Sequence, residues 1–235
     1  MGLADLHLHT ISSYDGTATV PDVLRRAHKV GLNEIAITDH EEIAGALEAL
    51  ELAHHFGVDV IPGIEITTAE GDLLALFVTE IVPKGLSLVE TVLRVRELGG
   101  VCIAPHPTAG GLGMKSLSVS AIARALRNPK VAETLIGIEA YNATALDRVG
   151  IATARLLTSH LHLTSVGNSD AHVLDAIGLG ATEFAGTGAA DLLSALRSGQ
   201  TNIRRQKEWN TIRIIGSWAV NYVGSLFTRL TMVTQ

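Results

Sequence analysis

The chain has 235 residues, 47% of them apolar and only 18% charged, which excludes an intrinsically disordered polymer and leaves enough material for a sizeable core. Its net charge of −6 does not mark a nucleic-acid-binding protein, but the charge is unevenly spread. Residues 1–200 hold 13 basic and 23 acidic side chains, whereas residues 201–235 hold five basic and one acidic.

Taken in chain order, short apolar runs predict strands at 3–8, 34–38, 58–66, 73–79, 101–105, 136–141, 163–167 and 179–184. Amphipathic segments between them predict helices at 20–30, 41–56, 87–98, 118–127, 145–160 and 189–198. Thr19 followed by Pro21 reads as a capped helix start, and Gly31, Gly57, Gly99 and Gly199 sit where helices should stop. This alternation is the pattern of repeated βα units around a parallel sheet. A doubly wound sheet would announce itself with a glycine-rich phosphate loop after the first strand. That position instead reads Leu6-His7-Leu8-His9-Thr10, so a barrel is expected, with functional side chains at the C-terminal ends of its strands.

Other classes are set aside on local grounds. The single cysteine, Cys102, lies in an apolar run and forms no internal disulfide. The first residues have neither a basic n-region nor an apolar h-region, which points to a cytoplasmic protein.

Chemistry concentrates at the predicted strand ends. His7 and His9, two apart on a strand, project from one face and can share a metal ion. Further along stand Asp15, Thr38-Asp39-His40, Gly63-Ile64-Glu65, Pro105-His106-Pro107 and Ser169-Asp170-Ala171-His172. So many imidazoles and carboxylates at the ends of buried strands would be desolvated together, and divalent cations relieve that cost. His28, His54, His55, His160 and His162 fall within predicted helices or at their ends and read as ordinary surface or core residues.

This set of motifs resembles the polymerase and histidinol phosphatase (PHP) superfamily over residues 1 to about 200, and Ile177-Gly178-Leu179-Gly180-Ala181-Thr182-Glu183-Phe184 is similar to the stretch that follows the last metal motif in many members. The resemblance implies a distorted (β/α)7 barrel with a site for two or three divalent ions, Mn, Zn or Fe, that acts as a phosphoesterase. It implies that His7, His9, Glu65 and Asp170 surround one metal, that Glu65 bridges to a second held by His106, and that Asp15, His40 and His172 hold a third. His7, His9, Glu65, His106 and Asp170 would then form the catalytic core. Where many relatives have a histidine at the start of the fourth strand, this chain has Asp72, which is either a replacement ligand or a turn residue.

Such a site would hydrolyse a small phosphomonoester, a nucleotide or a short oligonucleotide by metal-activated hydroxide. Lys115, after a glycine-rich segment, and Arg148 are candidates to touch the substrate phosphate. Only 34 residues separate Asp72 from His106, which leaves no room for an inserted lid, so the site is expected to be open. Two other readings stand beside this one: a TatD-like or amidohydrolase-like barrel, which also begins with His-x-His, and a non-catalytic module that keeps the barrel for binding.

Residues 201–235 read as a basic, amphipathic C-terminal tail containing both tryptophans, Trp209 and Trp218. From Ile212, apolar residues recur at Ile215, Ala219, Tyr222, Val223, Leu226 and Leu230, one stripe on a helix. The stripe is expected to lie on the barrel or pair with a second subunit. Alternatively, with Arg204, Arg205 and Lys207, it would hold the protein peripherally at an anionic membrane.

Overall fold

The structure, a computed structural model, describes residues 1–107, 115–144, 156, 160–205 and 211–232. In chain order these form β1 (Gly2–Leu8), α1 (Val20–Lys29), β2 (Glu34–Ile37), α2 (Ala44–Leu52), β3 (Asp59–Thr67), β4 (Asp72–Leu76), α3 (Leu88–Glu97), β5 (Val101–Ala104), α4 (Val119–Ala125), α5 (Pro129–Ala132), β6 (Leu135–Asn142), β7 (Thr164–Asn168), β8 (Gly180–Phe184), α6 (Ala189–Ser198), β9 (Thr201–Arg205) and α7 (Thr211–Met232). Each strand expected from sequence is present. The helix expected at 145–160 lies almost wholly outside the described residues. Local chemistry sets the helix starts: Thr19 caps α1 ahead of Pro21, and Ser87 with Glu90 forms a reciprocal capping box on α3.

The nine strands form one sheet in the order β7-β6-β5-β4-β3-β2-β1-β8-β9. Pairing is parallel from β1 to β3 and from β5 to β7, but β4 runs antiparallel to both neighbours, and β8 runs antiparallel to β1. The uniformly parallel sheet expected from sequence is therefore corrected at these two strands. Four residues between Thr67 and Asp72 allow a hairpin but not the crossover that a parallel neighbour needs. The sheet curls until its far end returns to β1: Leu8 bridges Ala171, His9 N–H donates to the Ala171 carbonyl at 3.0 Å, and Leu6 N–H donates to Asn168 Oδ1 at 3.0 Å. The result is a nearly closed α/β barrel.

Strand alternation separates two apolar layers. Outward side chains such as Ile35, Ile37, Ile64 and Ile66 meet α1, α2 and α3. Inward ones, including Ala4, Leu6, Ala36, Ile61, Leu74, Leu76, Val101, Ile103 and Val166, fill the barrel with Phe184 and the Leu192, Ala195 and Leu196 face of α6. Helix α6 touches β3, β6, β7 and β8 and so lies across the floor of the barrel, where Glu34 Oε1 accepts Gly188 N–H at 2.7 Å. The inward apolar layer thus occupies the floor, and the other mouth is left for polar side chains. On β1 the register with β2 shifts by one residue between Asp5 and Leu8, which lets His7 follow Leu6 on the inward face.

The sheet also continues past residue 200. Residues 201–205, assigned to the tail from sequence, pair with β8 as β9, and Thr201 Oγ1 donates to the Ser165 carbonyl at 2.7 Å. Thr-Asn-Ile-Arg-Arg has one aliphatic residue and two cations, so hydropathy does not reveal this edge strand. Helix α7 meets the barrel through Trp218 and Arg229, with Ser225 buried beneath it, and most of the expected apolar stripe does not face the barrel: Ile215, Val223, Leu226 and Leu230 are exposed, and of the stripe's described residues only Tyr222 lies against Trp218 and Arg229. The barrel surface beneath α7 is a loop rich in carbonyl oxygens, which polar donors satisfy and aliphatic side chains do not. No helix among the described residues is long and apolar enough to cross a membrane.

Phe184 is fully buried, and its ring fills the space that a Cβ on Gly2 would need. Phe184→Ala should destabilise the barrel by about 3–5 kcal/mol, read as a lower urea midpoint with an unchanged slope.

Candidate metal centre

The open mouth of the barrel collects side chains from the C-terminal ends of five strands and the turns beyond them. His7 and His9 come from the end of β1, Asp15 from the loop after it, His40 from the turn after β2, Glu65 from β3, His106 from the turn after β5, and Asp170 and His172 from the turn after β7. Two of these residues hold backbone conformations that L-residues rarely adopt, with φ of 28° at His106 and 54° at Asp170. Such strain persists only where surrounding bonds overdetermine the position. For His106 they do: its N–H donates to Glu139 Oε2 at 2.7 Å, and its carbonyl accepts from Ser116 Oγ at 2.8 Å.

Glu65 stands at the middle of the centre and is 1% exposed. Its Oε2 lies 3.1 Å from His7 Nε2, 3.3 Å from His9 Nε2 and 3.3 Å from His40 Nδ1, while Oε1 lies 3.2 Å from His106 Nε2. Asp170 Oδ1 is 3.3 Å from both His7 Nε2 and His9 Nε2. Asp15 Oδ2 is 3.2 Å from His172 Nε2 and 3.4 Å from His40 Nε2. Three groups of ligand atoms result, each gathered within 4.8 Å: His9, Asp15, His40 and His172; His7, Glu65 and His106; and His7, His9 and Asp170.

The chemistry of these groups fits divalent ions. His7 Nδ1–H donates to Glu139 Oε1 at 2.8 Å, His106 Nδ1–H to Ser116 Oγ at 3.2 Å, and His172 Nδ1–H to the Asp170 carbonyl at 3.0 Å. In each neutral ring, then, Nε2 carries the lone pair, and all three Nε2 atoms face carboxylate oxygens. Lone pair against carboxylate is repulsive unless a cation lies between them. His9 makes the same point differently, because both nitrogens of this buried ring lack a hydrogen-bond partner. Burial would push the His7, His40, His106 and His172 imidazoles down, yet the neighbouring carboxylates hold all four above their ordinary value. Despite burial, the same imidazoles hold Glu65, Asp15 and Asp170 below theirs. Without metal, protons take the positions that cations would occupy.

Asp72 lies apart from these three groups. It lines the same cleft, but Thr67 Oγ1 donates to its Oδ1 at 2.8 Å and Lys115 N–H to its Oδ2 at 3.2 Å. Burial and then the Glu65 carboxylate push the Asp72 carboxyl up, the opposite of its acidic neighbours. Lys115 also lines the cleft, whose volume is about 340 Å³ and whose rim includes Tyr14 and Trp218. Arg148 lies outside the described residues.

Several residues that hold this arrangement were not singled out from sequence. Buried Glu139 accepts from His7, from the His106 backbone, from Asn142 Nδ2 at 3.0 Å and from Asn168 Nδ2 at 2.8 Å, tying β1, β5, β6 and β7 together. Its one sequence signal is an acid within an otherwise apolar strand. Asp5 accepts Ser169 N–H and Gly178 N–H, each at 2.9 Å, and so fixes the turn carrying Asp170 and His172. Burial nonetheless raises its carboxyl to about 7.

Residues 5–177 match the PHP domain family, to which the chain therefore belongs. Among curated relatives, an uncharacterized protein of Methanocaldococcus jannaschii is 37% identical over 156 residues, 62% of this chain and 85% of that protein. A 5'-3' exoribonuclease of Haemophilus influenzae is 32% identical over 130 residues, 52% of this chain and 47% of that enzyme. A phosphoribosyl 1,2-cyclic phosphate 1,2-diphosphodiesterase of Eggerthella lenta is 34% identical over 100 residues, 40% of this chain and 38% of that one. Among solved structures, a two-domain protein from Bacteroides vulgatus containing a predicted PHP-like metal-dependent phosphoesterase superposes with a TM-score of 0.72 at 19% identity, over 87% of this chain and 64% of that one. The chain thus spans less than half of either named enzyme's length.

The charge balance sets a pH window for the metal-free protein. Glu65 and Asp170, depressed from 4.5 and 3.8, stabilise the fold above those values, a contribution lost as the pH falls below them. His7, His40, His106 and His172, raised from 6.5, stabilise it below 6.5 and lose that contribution as the pH rises through their folded values. Calorimetry in EDTA should find the highest thermal midpoint between these limits and a decline as the pH rises through the alkaline range. Protein loaded with Mn²⁺ should keep its midpoint over that alkaline range, because the ion replaces the protons.

Proposed function

We propose that this protein is a metal-dependent phosphoesterase that hydrolyses a small phosphorylated molecule or the end of a short oligonucleotide. One observation carries the reading: the Nε2 atoms of His7, His106 and His172 all face the oxygens of Glu65, Asp170 and Asp15, a set of metal-ligand donors gathered so closely that a shared proton or a divalent ion must lie between them. Membership of the PHP domain family supports it, as do relatives named as an exoribonuclease and a cyclic phosphate diphosphodiesterase.

Glu65 presents its two oxygens to different imidazoles, Oε1 to His106 and Oε2 to His7, His9 and His40, and so would bridge two ions. Asp170 with His7 and His9 would complete one site, and Asp15 with His40 and His172 another. Divalent ions such as Mn²⁺, Zn²⁺ or Fe²⁺ supply Lewis acidity at phosphoryl oxygens and lower the pKa of water toward neutrality. The chain supplies the rest. Glu139 and Ser116 hold the His7 and His106 rings in the orientation that exposes Nε2, and Lys115, which lines the cleft, would offer its ammonium to a substrate phosphate. A cleft of about 340 Å³ suits a sugar phosphate or a terminal nucleotide. Cys102 is no rival nucleophile, since burial pushes its thiol up and places it in the outward layer of β5.

We assign Asp72 to the ion held by His7, Glu65 and His106. Among the described carboxyls of the cleft, that of Asp72 is raised rather than lowered, first by burial and then by the neighbouring Glu65 carboxylate, with His106 only partly offsetting them, and a cation there would relieve both carboxylates.

A panel of phosphomonoesters, nucleotides and short single strands, assayed with Mn²⁺, Zn²⁺ and Fe²⁺, should show phosphate release that His7→Ala reduces by ~100-fold or more, with lower bound metal. Full metal content and activity in His7→Ala, or no release from any ester by metal-loaded protein, would sink the reading. Asp72→Asn should weaken one metal equivalent by at least ~10-fold in a dialysis titration. Unchanged binding would restrict its carboxylate to bonding Thr67 and Lys115.

A further inference from the structure

Helix α7 lies beyond the segment matched by the family, yet it reaches the metal centre. The loop from Thr10 to Gly16 carries Asp15, and its folding is tight: a Cβ on Gly16 would fall on the Thr10 carbonyl oxygen. Within the loop, Ser13 Oγ donates to Asp15 Oδ1 at 2.7 Å and accepts from His40 N–H at 3.4 Å, so the loop's path and the Asp15 carboxylate are coupled. Four of its backbone carbonyls turn toward α7. Arg229 Nε donates to Ile11 O at 3.2 Å, and Nη2 donates to Ser13 O at 2.7 Å and Gly16 O at 2.5 Å, while Trp218 Nε1–H donates to Asp15 O at 2.9 Å.

The donors are themselves held. Arg229 Nη1 donates to Ser225 Oγ at 2.9 Å, and that hydroxyl donates to the Tyr222 carbonyl at 2.8 Å. The Tyr222 ring stacks on Trp218 with centroids 4.9 Å apart and lies 5.6 Å from the Arg229 guanidinium carbon. A planar guanidinium with donors in a fixed fork can serve several carbonyls at once, which a lysine ammonium on a flexible stem cannot reproduce.

We propose that α7 is a built-in clamp on the metal centre, with Arg229 and Trp218 as positioning residues that hold the 10–16 loop and thereby keep the Asp15 carboxylate in register with His9, His40 and His172. The clamp acts through the loop backbone, and neither residue is a ligand. It therefore governs one ion selectively, the one that Asp15 would bind, and leaves the group of His7, Glu65 and His106 intact. The proposal rests on the cleft being a metal centre but not on the reaction performed there.

The test is a metal titration of full-length protein, with bound Mn²⁺ measured after dialysis at fixed free concentrations. Arg229→Met should weaken one equivalent about 10- to 100-fold, the usual effect of removing a group that orients a ligand, and leave the others at wild-type affinity. Arg229→Lys should fall between Met and wild type, and excess Mn²⁺ should restore full occupancy in both. Trp218→Phe keeps an aromatic ring against Tyr222 but removes the indole N–H donor together with the pyrrole ring, so it should shift the same equivalent by a smaller factor, and it decides the matter if Arg229→Met does not fold. Phe227→Gln, on the exposed side of α7, should bind as wild type does. Wild-type affinity in folded Arg229→Met, or in Trp218→Phe where the former fails to fold, would overturn the clamp, as would parallel weakening of every equivalent. A wild-type protein that binds no metal would remove both the clamp and the phosphoesterase reading. One that binds metal but releases no phosphate would remove only the latter.

Discussion

A carboxylate buried among four imidazoles is the interaction on which the molecule turns. Glu65 is almost wholly removed from water, and such a charge is tolerable only when paired and hydrogen-bonded. Its partners, His7, His9, His40 and His106, arrive from the ends of three different strands, so the centre exists only if β1, β2, β3 and β5 close to within a few ångströms of one another at one mouth. The barrel satisfies this by filling its opposite mouth with aliphatic side chains and sealing it with α6. The apolar floor and the polar mouth divide the same inward-facing strand positions between them: Ile61, Gly63 and Glu65 alternate along β3, as Leu74 and Asp72 do along β4.

Around Glu65 runs a ring of residues whose task is orientation. Glu139 bonds His7, the His106 backbone, Asn142 and Asn168 and fixes the proton of His7 on Nδ1. Asp5 fixes the turn that presents Asp170 and His172, and Ser116 fixes His106. These bonds aim the Nε2 atoms at carboxylates, an arrangement that shares protons and is poised to take up cations in their place. The clamp from α7 extends this logic to the loop bearing Asp15, and it does so with backbone carbonyls as the intermediaries. Stability and metal affinity are thereby linked, since the groups that share protons in EDTA are those that would share ions when metal is bound.

The positions of most strands were legible because each is a short apolar run bounded by turn residues, and the candidate ligands were legible because His, Asp and Glu stand at the ends of those runs. Strand direction was less accessible. The reversal at β4 follows from a four-residue connection, a feature that a pattern of alternating segments does not weigh. Strand β9 was hidden because an edge strand with two arginines lacks a hydrophobic signature. The orientation of α7 departed from its apolar periodicity because the surface it meets offers carbonyls, and Trp218 and Arg229 answer them while Val223 and Leu230 remain in water.

By itself, then, the sequence determined which residues can bind metal, that they lie at strand ends, and that the chain has the motifs of the PHP family, because ligand chemistry and strand period are local properties. Only the tertiary structure decided that Glu65 stands at the centre, that Glu139 and Asp5 support it, that Asp72 lies beside rather than within the three ligand groups, and that a helix more than two hundred residues away grips the Asp15 loop. Those are facts about which atoms come within hydrogen-bonding distance after the barrel closes. Directional contacts between remote segments leave no periodic trace in the chain that makes them.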